Sequence, residues 1–401
     1  MRKHWMMQSA TLVAFVLLTL PPVCGEAGRG TTDRGKGKPK MEHKIAAGEP
    51  GMFCGWPANN GVWTWDGGRE ILVGFSFGRF VEQSGHNIEG KSDSASGILS
   101  RLARSTDGGR TWKVEDPANF VGDGGEVKPS PGGIAFDAPD FAMRVVGKGY
   151  HGSSDPIGSF HISSDRGKTW SGPFRFDTLM DDPNLNDMEF TSRTGYLVTG
   201  RDSCLVFMSA RPKVNGGSRD KSFVTETTDG GKTFHFVSWI VPLTDPYRAV
   251  MPSVVKASDG TIVAALRRRT VDKDVNWVDC YASRDNGRTW SFLSRVGETG
   301  DHNGNPPALA ILRDSRLACA YGDRTRVKLY ARLSSDGGKT WADEIVVRDD
   351  FQPDKFDDKD FGYPRLVQND RGELVAMYYW ATREHPNHFI GATTWSPAVE
   401  K

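Results

Sequence analysis

The sequence has no charge bias. Lysine and arginine number 51 against 50 aspartates and glutamates, a formal net charge of +1. That balance does not ask for nucleic acid or an acidic membrane as partner, so any charge preference is local to a site. Cysteine is scarce, with five residues in 401 and neither a CxxC pair nor a Cys/His cluster. This excludes the usual zinc frameworks, and no metal or other cofactor is expected. Phosphate loops are missing too, because no Gly-rich turn continues into G-x-x-x-x-G-K-S/T. Long apolar runs are confined to Leu12–Leu20, which is short for a bilayer span. Arg2, Lys3 and His4 precede it, and small residues around Val23-Cys24-Gly25 and Ala27 follow. The pattern predicts an export signal over residues 1–25 and a secreted or periplasmic protein. No stable membrane insertion is expected once the signal is removed. Residues 26–44 are polar and Gly-rich, and read as a disordered leader. Cys54, Cys204, Cys280 and Cys319 remain, which allow three pairings and leave open whether a bridge forms.

Glycine and tryptophan are plentiful, at 46 and 12 residues, which favours a turn-rich β protein. The stretch RSTDGGRTW, Arg104–Trp112, returns four times, ending at Trp170, Phe234, Trp290 and Trp341. In each copy the Ser or Thr and the Asp can bond local backbone amides, Gly permits positive φ, and the aromatic packs under the turn. The aspartates Asp107, Asp165, Asp229, Asp285 and Asp336 are spaced by 58, 64, 56 and 51 residues. One four-stranded sheet with its loops fits each interval, and such sheets repeated radially make a β-propeller. A strand-pair pattern begins at Met251, Asn305 and Tyr363, and the last has no box after it. The expectation is an all-β, six-bladed propeller over residues 45–397, built of four-stranded antiparallel blades. The final blade borrows a strand near His43–Ala47, so N- and C-terminal strands close the ring.

Five such boxes on a six-unit chain resemble the sialidase superfamily and its Asp-box turn, over about residues 50–396. The resemblance implies that the box aspartates are turn formers on outer hairpins, not catalysts. It implies a site at one mouth of the central channel, opened by Trp56-Pro57, Phe136-Asp137, Asp187-Met188-Glu189, Met251-Pro252, Asn305-Pro306 and Tyr363-Pro364-Arg365. A sialidase uses three arginines on the substrate carboxylate, a tyrosine nucleophile with a glutamate beside it, and an aspartate as acid/base. Tyr363 falls at the nucleophile position, Arg267 at the second arginine and Arg326 at the third. The first arginine is replaced by Gly55-Trp56-Pro57 and the glutamate by Met251, while Asp93 is the nearest match to the aspartate.

Further candidates come from the residues themselves. His86 in GHNIEG and His302 in DHNGNPP lie in polar loops of mouth type, where a histidine serves as acid or base. Asp187 and Glu189 are two residues apart, which puts both on one strand face. Arg365 is a second carboxylate binder beside Tyr363. Trp56 and Trp380 are candidate sugar-stacking faces, with Trp63 and Trp65 read as packing. Three functions follow. The first is an exo-acting glycoside hydrolase on acidic, sialic acid-like sugars. The second is a lyase on uronic-acid glycans using His and Tyr, and the third a propeller that binds glycan or protein without cutting.

Overall fold

Asp107 shows why the repeated stretch folds as it does. Its carboxylate accepts hydrogen bonds from Ser105 Oγ (2.8 Å), Thr111 Oγ1 (2.6 Å) and the Thr111 amide (2.9 Å). Ser105 Oγ in turn accepts from the Gly109 amide, and the Trp112 indole donates to the Gly109 carbonyl. Asp165, Asp229, Asp285 and Asp336 bind their own Thr hydroxyl in the same way. Burial pushes the Asp107 carboxyl up, but these donors together outweigh it and hold it down at about 2. Asp107→Ala is expected to cost about 1 kcal/mol, as loss of a helix N-cap does. A lowered Tm with unchanged turnover would show that the box is architectural.

The computed structural model describes residues 39–83, 85–89, 98–120, 126–147, 158–191, 193–213, 219–353 and 359–397. The expected signal, most of the leader and Asp93 lie outside the described residues. Six antiparallel sheets follow one another along the chain. The fourth blade is typical, with strands Arg248–Lys256, Ile262–Arg269, Asn276–Ser283 and Ser291–Glu298 running from the channel outward. Its box joins the third strand to the fourth, and the same holds in the first, third and fifth blades. The sixth blade consists of Gly362–Gln368, Leu374–Trp380 and Phe389–Trp395, with Glu42–Ala47 as its outer strand. His43 pairs with Thr393 in that closure, and their side chains share a 2.9 Å hydrogen bond. The closing strand thus starts at Glu42, inside the stretch expected to be leader.

The second blade departs from the pattern. Its described strands are Ala142–Val146, Ser159–Ser163 and Ser171–Phe174, and Phe136-Asp137 opens no inner strand. Instead the Phe136 amide donates to the Arg201 carbonyl of the third blade. The exposed edge of Ala142–Val146 is covered by side chains. Tyr196 Oη accepts from the Met143 amide, and Thr194 Oγ1 from the Val145 amide. An unpaired strand edge in a channel would otherwise leave buried donors unsatisfied.

Blades pack face to face through large side chains. Trp380, Tyr378 and Trp395 are fully buried between the fifth and sixth blades. This corrects the expectation that Trp380 sits near the mouth: it is a core residue whose indole donates to Asp350 at 2.8 Å. Trp63 and Trp65 are buried with Trp170 and Phe120, as packing residues. Cys54, Cys204, Cys280 and Cys319 are all buried and free. Burial pushes the Cys54 thiol up to about 12, so it is inert at neutral pH.

Candidate active site

Three inner strands break at one level of the channel. In each, the residue before a proline has a left-handed backbone: Trp56 (φ 53°), Met251 (φ 54°) and Tyr363 (φ 47°). Proline has no N–H to give the ladder, so the strand bulges there, between Val250 and Ser253 and between Gly362 and Arg365. The bulge turns all three side chains into one cavity of about 300 Å³ at the channel mouth. A left-handed non-glycine residue costs on the order of 1–3 kcal/mol and persists only where its surroundings enforce it. Asn305 does so for Tyr363. Its Oδ1 accepts the Tyr363 amide at 2.7 Å and its Nδ2 donates to the Phe361 carbonyl. Gly362 lets Asn305 come this close, since a Cβ there would lie 2.3 Å from its Oδ1.

Tyr363 lies among the cavity's charged groups. Its hydroxyl accepts a 3.0 Å hydrogen bond from Arg267 Nη1. The guanidinium carbons of Arg267 and Arg324 lie 5.6 and 5.9 Å from its ring centre. Burial alone would push the phenol up. The charges of Arg267, Arg324 and His86 outweigh burial and bring it down to about 8. Met251, at the position of the expected glutamate, gives only a thioether contact to Arg267 at 3.7 Å. The lowering of this phenol thus comes from cations, with Met251 in place of a carboxylate beside it. Arg267 is anchored by Asn303, whose carbonyl accepts its Nε and Nη2.

Behind Tyr363 lies a buried hub. Asp360 accepts from His86 Nδ1 at 2.9 Å, from Arg324 Nη2 at 3.2 Å and from the Tyr379 hydroxyl. His388 Nε2 lies 2.8 Å from the Asp360 carbonyl. Burial pushes the Asp360 carboxyl up, but the cations around it hold it well below the usual carboxylate range. His86 answers in the opposite sense. Burial lowers its pKa, and the charge and hydrogen bond of Asp360 raise it above the ordinary value. The imidazole also meets the Trp56 ring edge-on, with centres 4.8 Å apart. Trp56 is itself buried against Phe53, so it seats His86 and offers little face to a sugar.

The other sequence candidates lie apart. Arg326 does not reach the cavity. It points outward and pairs with Asp323 and Glu344, and the arginine beside Tyr363 is Arg324. Arg365 turns away from the mouth and donates to the carbonyls of Pro57, Ala58 and Thr194. It closes the floor and lines a second cavity further down the channel. His302 contributes its backbone, whose carbonyl accepts from Arg324 Nη1 at 2.7 Å, while its ring is half-exposed beside Asp301. Asp187 is exposed in the turn before Met188–Phe190 and does not share the work of Glu189, which pairs with the cavity-lining Arg211 at 2.9 Å.

Residues 141–376 match the sequence profile of the family described as BNR repeat-like domain. The chain belongs to that family. A comparison with curated proteins gave no match. Among solved structures, this BNR propeller is similar to a protein of unknown function from Dyadobacter fermentans, at 18% identity and TM-score 0.62, over 89% of this chain and 98% of that one. It is also similar to the GH93 α-L-arabinofuranosidase of Fusarium graminearum, solved with arabinobiose, at 15% identity and TM-score 0.52, over 87% and 98%. A Hadza microbial sialidase aligns at 16% identity and TM-score 0.53, over 84% and 65%. At these identities the likeness is one of fold.

The BNR propeller's cavity is strongly basic for a neutral chain. Arg193, Arg211, Arg248, Arg267, Arg269 and Arg324 all line it, together with Lys273. Asp220 is the one carboxylate among the described lining residues, and it is bound by Arg248 (2.8 Å) and Thr191 (2.9 Å). Such a cavity selects an anion. Arg248, Asp220, Arg324 and Asp360 carried no motif in the sequence. The one available signal was position, since Asp360 lies three residues before Tyr363 and Arg324 directly follows the strand Leu317–Asp323.

Proposed function

We propose that this BNR propeller is a carbohydrate-active enzyme, a glycoside hydrolase acting on an acidic sugar, with Tyr363 as nucleophile and His86 as acid/base. The reading is carried by one observation: a phenol lowered to about 8 beside Arg267 and Arg324 in a basic cavity. A phenol is a suitable nucleophile for a carbon next to a carboxylate, because a carboxylate nucleophile would be repelled there. The sugar's acid group is held by Arg267 and Arg324. Tyr363 Oη attacks the anomeric carbon, the glycosidic C–O bond breaks, and His86 gives its proton to the departing oxygen. Water then displaces the tyrosine and returns a proton to His86. Asp360 orients His86 and keeps it protonated to higher pH.

A second reading rests on the lack of a free carboxylate pair among the described lining residues. Elimination from a uronic acid needs only the groups present. Tyr363 takes the proton beside the carboxylate, the arginines neutralise that carboxylate, the C–O bond breaks, and His86 protonates the leaving oxygen. Digestion of sialylated oligosaccharides and uronic-acid polymers, read by mass spectrometry, separates the two. Hydrolysis gives products whose summed mass exceeds the substrate by one water, and this is the expected result. Elimination gives an unsaturated product with no added water. Failure of the folded protein to cut any acidic glycan would contradict both.

A further inference from the structure

The acid group next to Tyr363 accounts for only one side of the cavity. The wall formed by the third and fourth blades carries Arg193, Arg211, Arg248, Arg269 and Lys273. Among the described residues lining the cavity the one carboxylate is Asp220, which pairs with Arg248, and Glu189 pairs with Arg211 from outside that lining. Asp272 and Asp274, beside Lys273, face solvent and line none of the cavity. The charges are close enough to matter. Desolvation lowers the Arg267 pKa most, and repulsion from Arg248 and Arg324 lowers it further. Like charges gathered in a small cavity are unfavourable unless a ligand brings the opposite sign.

The wall is also built to present donors. Arg211 uses Nε and Nη2 on a single oxygen of Glu189, at 3.0 and 2.9 Å. One edge of the guanidinium is thereby fixed, and Nη1 remains for a ligand. Arg248 is fixed by buried Asp220, which Thr191 also holds. Arg193 rests on Asn59 and the Thr191 carbonyl, and Arg269 on Asn303. Lys273 is exposed at the rim.

We propose that this wall is a second anion subsite, and that the substrate is an oligosaccharide with a sulfate ester on the sugar next to the one at Tyr363 or a second carboxylate one sugar beyond it. The proposal rests on the acidic-glycan reading above and adds a requirement for two anions. It is tested by calorimetry on the Tyr363→Phe protein, which binds without turnover. The probes are a chondroitin disaccharide, the unsulfated chondroitin tetrasaccharide and its sulfated counterpart. The sulfated tetrasaccharide is expected to bind at least about tenfold more tightly than the disaccharide. If the unsulfated tetrasaccharide matches it, the second anion is a carboxylate; if it matches the disaccharide, a sulfate. The double variant Arg211→Gln/Lys273→Gln should lose about tenfold in affinity for the preferred probe and far less for the disaccharide. An unchanged Tm certifies its fold. Equal affinity for all probes, or an equal loss for all in the variant, would overturn the second subsite and leave the acidic-glycan reading standing. No binding of any acidic probe would overturn both.

Discussion

Tyr363→Phe is expected to lower turnover of an acidic glycan at least about a thousandfold while leaving acidic oligosaccharides bound within a few-fold of wild type. The substitution deletes one oxygen, and that oxygen is the reacting atom in both readings of the chemistry. Its hydrogen bond from Arg267 is lost as well. Arg267 stays anchored on Asn303, so the cation that holds the substrate's acid group remains in place. The loss therefore falls on kcat, with KM little changed. Kinetics on the best substrate, with a binding isotherm for the variant, check this. A variant that retains a tenth of the wild-type kcat would remove Tyr363 from the chemistry.

The second large effect is at Asp360, which touches no substrate. Asp360→Asn withdraws the charge that keeps His86 protonated and leaves Arg324 buried without a counterion. Breaking a buried pair in this way costs about 3–5 kcal/mol. Because the Asp360 carboxyl is held below its ordinary range, the stability it supplies is fully present above about pH 4 and is lost as the pH falls through lower values. The Tm gap between wild type and variant should therefore narrow on acidification below pH 4. In the proposed chemistry, the active form needs His86 protonated and Tyr363 ionised. The wild-type profile is then a plateau between the raised pKa of His86 and about 8. The variant lowers the His86 value, so the acid limb moves to lower pH and the plateau falls about tenfold per unit. His86→Gln keeps the Arg324–Asp360 pair, and should lose the alkaline limb, the rate levelling off above about 8, with little loss of Tm. A pH profile of kcat/KM for the three proteins decides between a positioning role and simple loss of structure.

The propeller was legible because its signal is local. Five turns with the same Ser/Thr-x-Asp-x-Gly-x-Thr-Trp/Phe chemistry fold on their own hydrogen bonds, and their spacing counts blades. Closure of the ring followed from the blade without a box. The second blade was not legible, because its inner edge is satisfied by Tyr196 and Thr194, which are distant in sequence. Tyr363 and Arg267 carried over from the family pattern since both sit at fixed places on inner and second strands. Arg326 did not, since counting back from the next box cannot tell two arginines apart in a tight turn. Asp323 and Glu344 draw Arg326 outward, and Asp360 draws Arg324 inward. Asp360 and His86 meet across 274 residues, so nothing in either local stretch announces the pair.

Both proposed reactions need an ionisable Tyr363, and an ultraviolet difference titration of wild type against Tyr363→Phe measures that directly. Burial raises Tyr196, Tyr281, Tyr321, Tyr330, Tyr378 and Tyr379, so an early phenolate stands apart from them. One phenolate equivalent is expected to appear with a midpoint at about 8 in the wild-type protein and to be missing from the variant. Identical titrations for the two proteins, with no phenolate before the ordinary tyrosine range near 10, would contradict it.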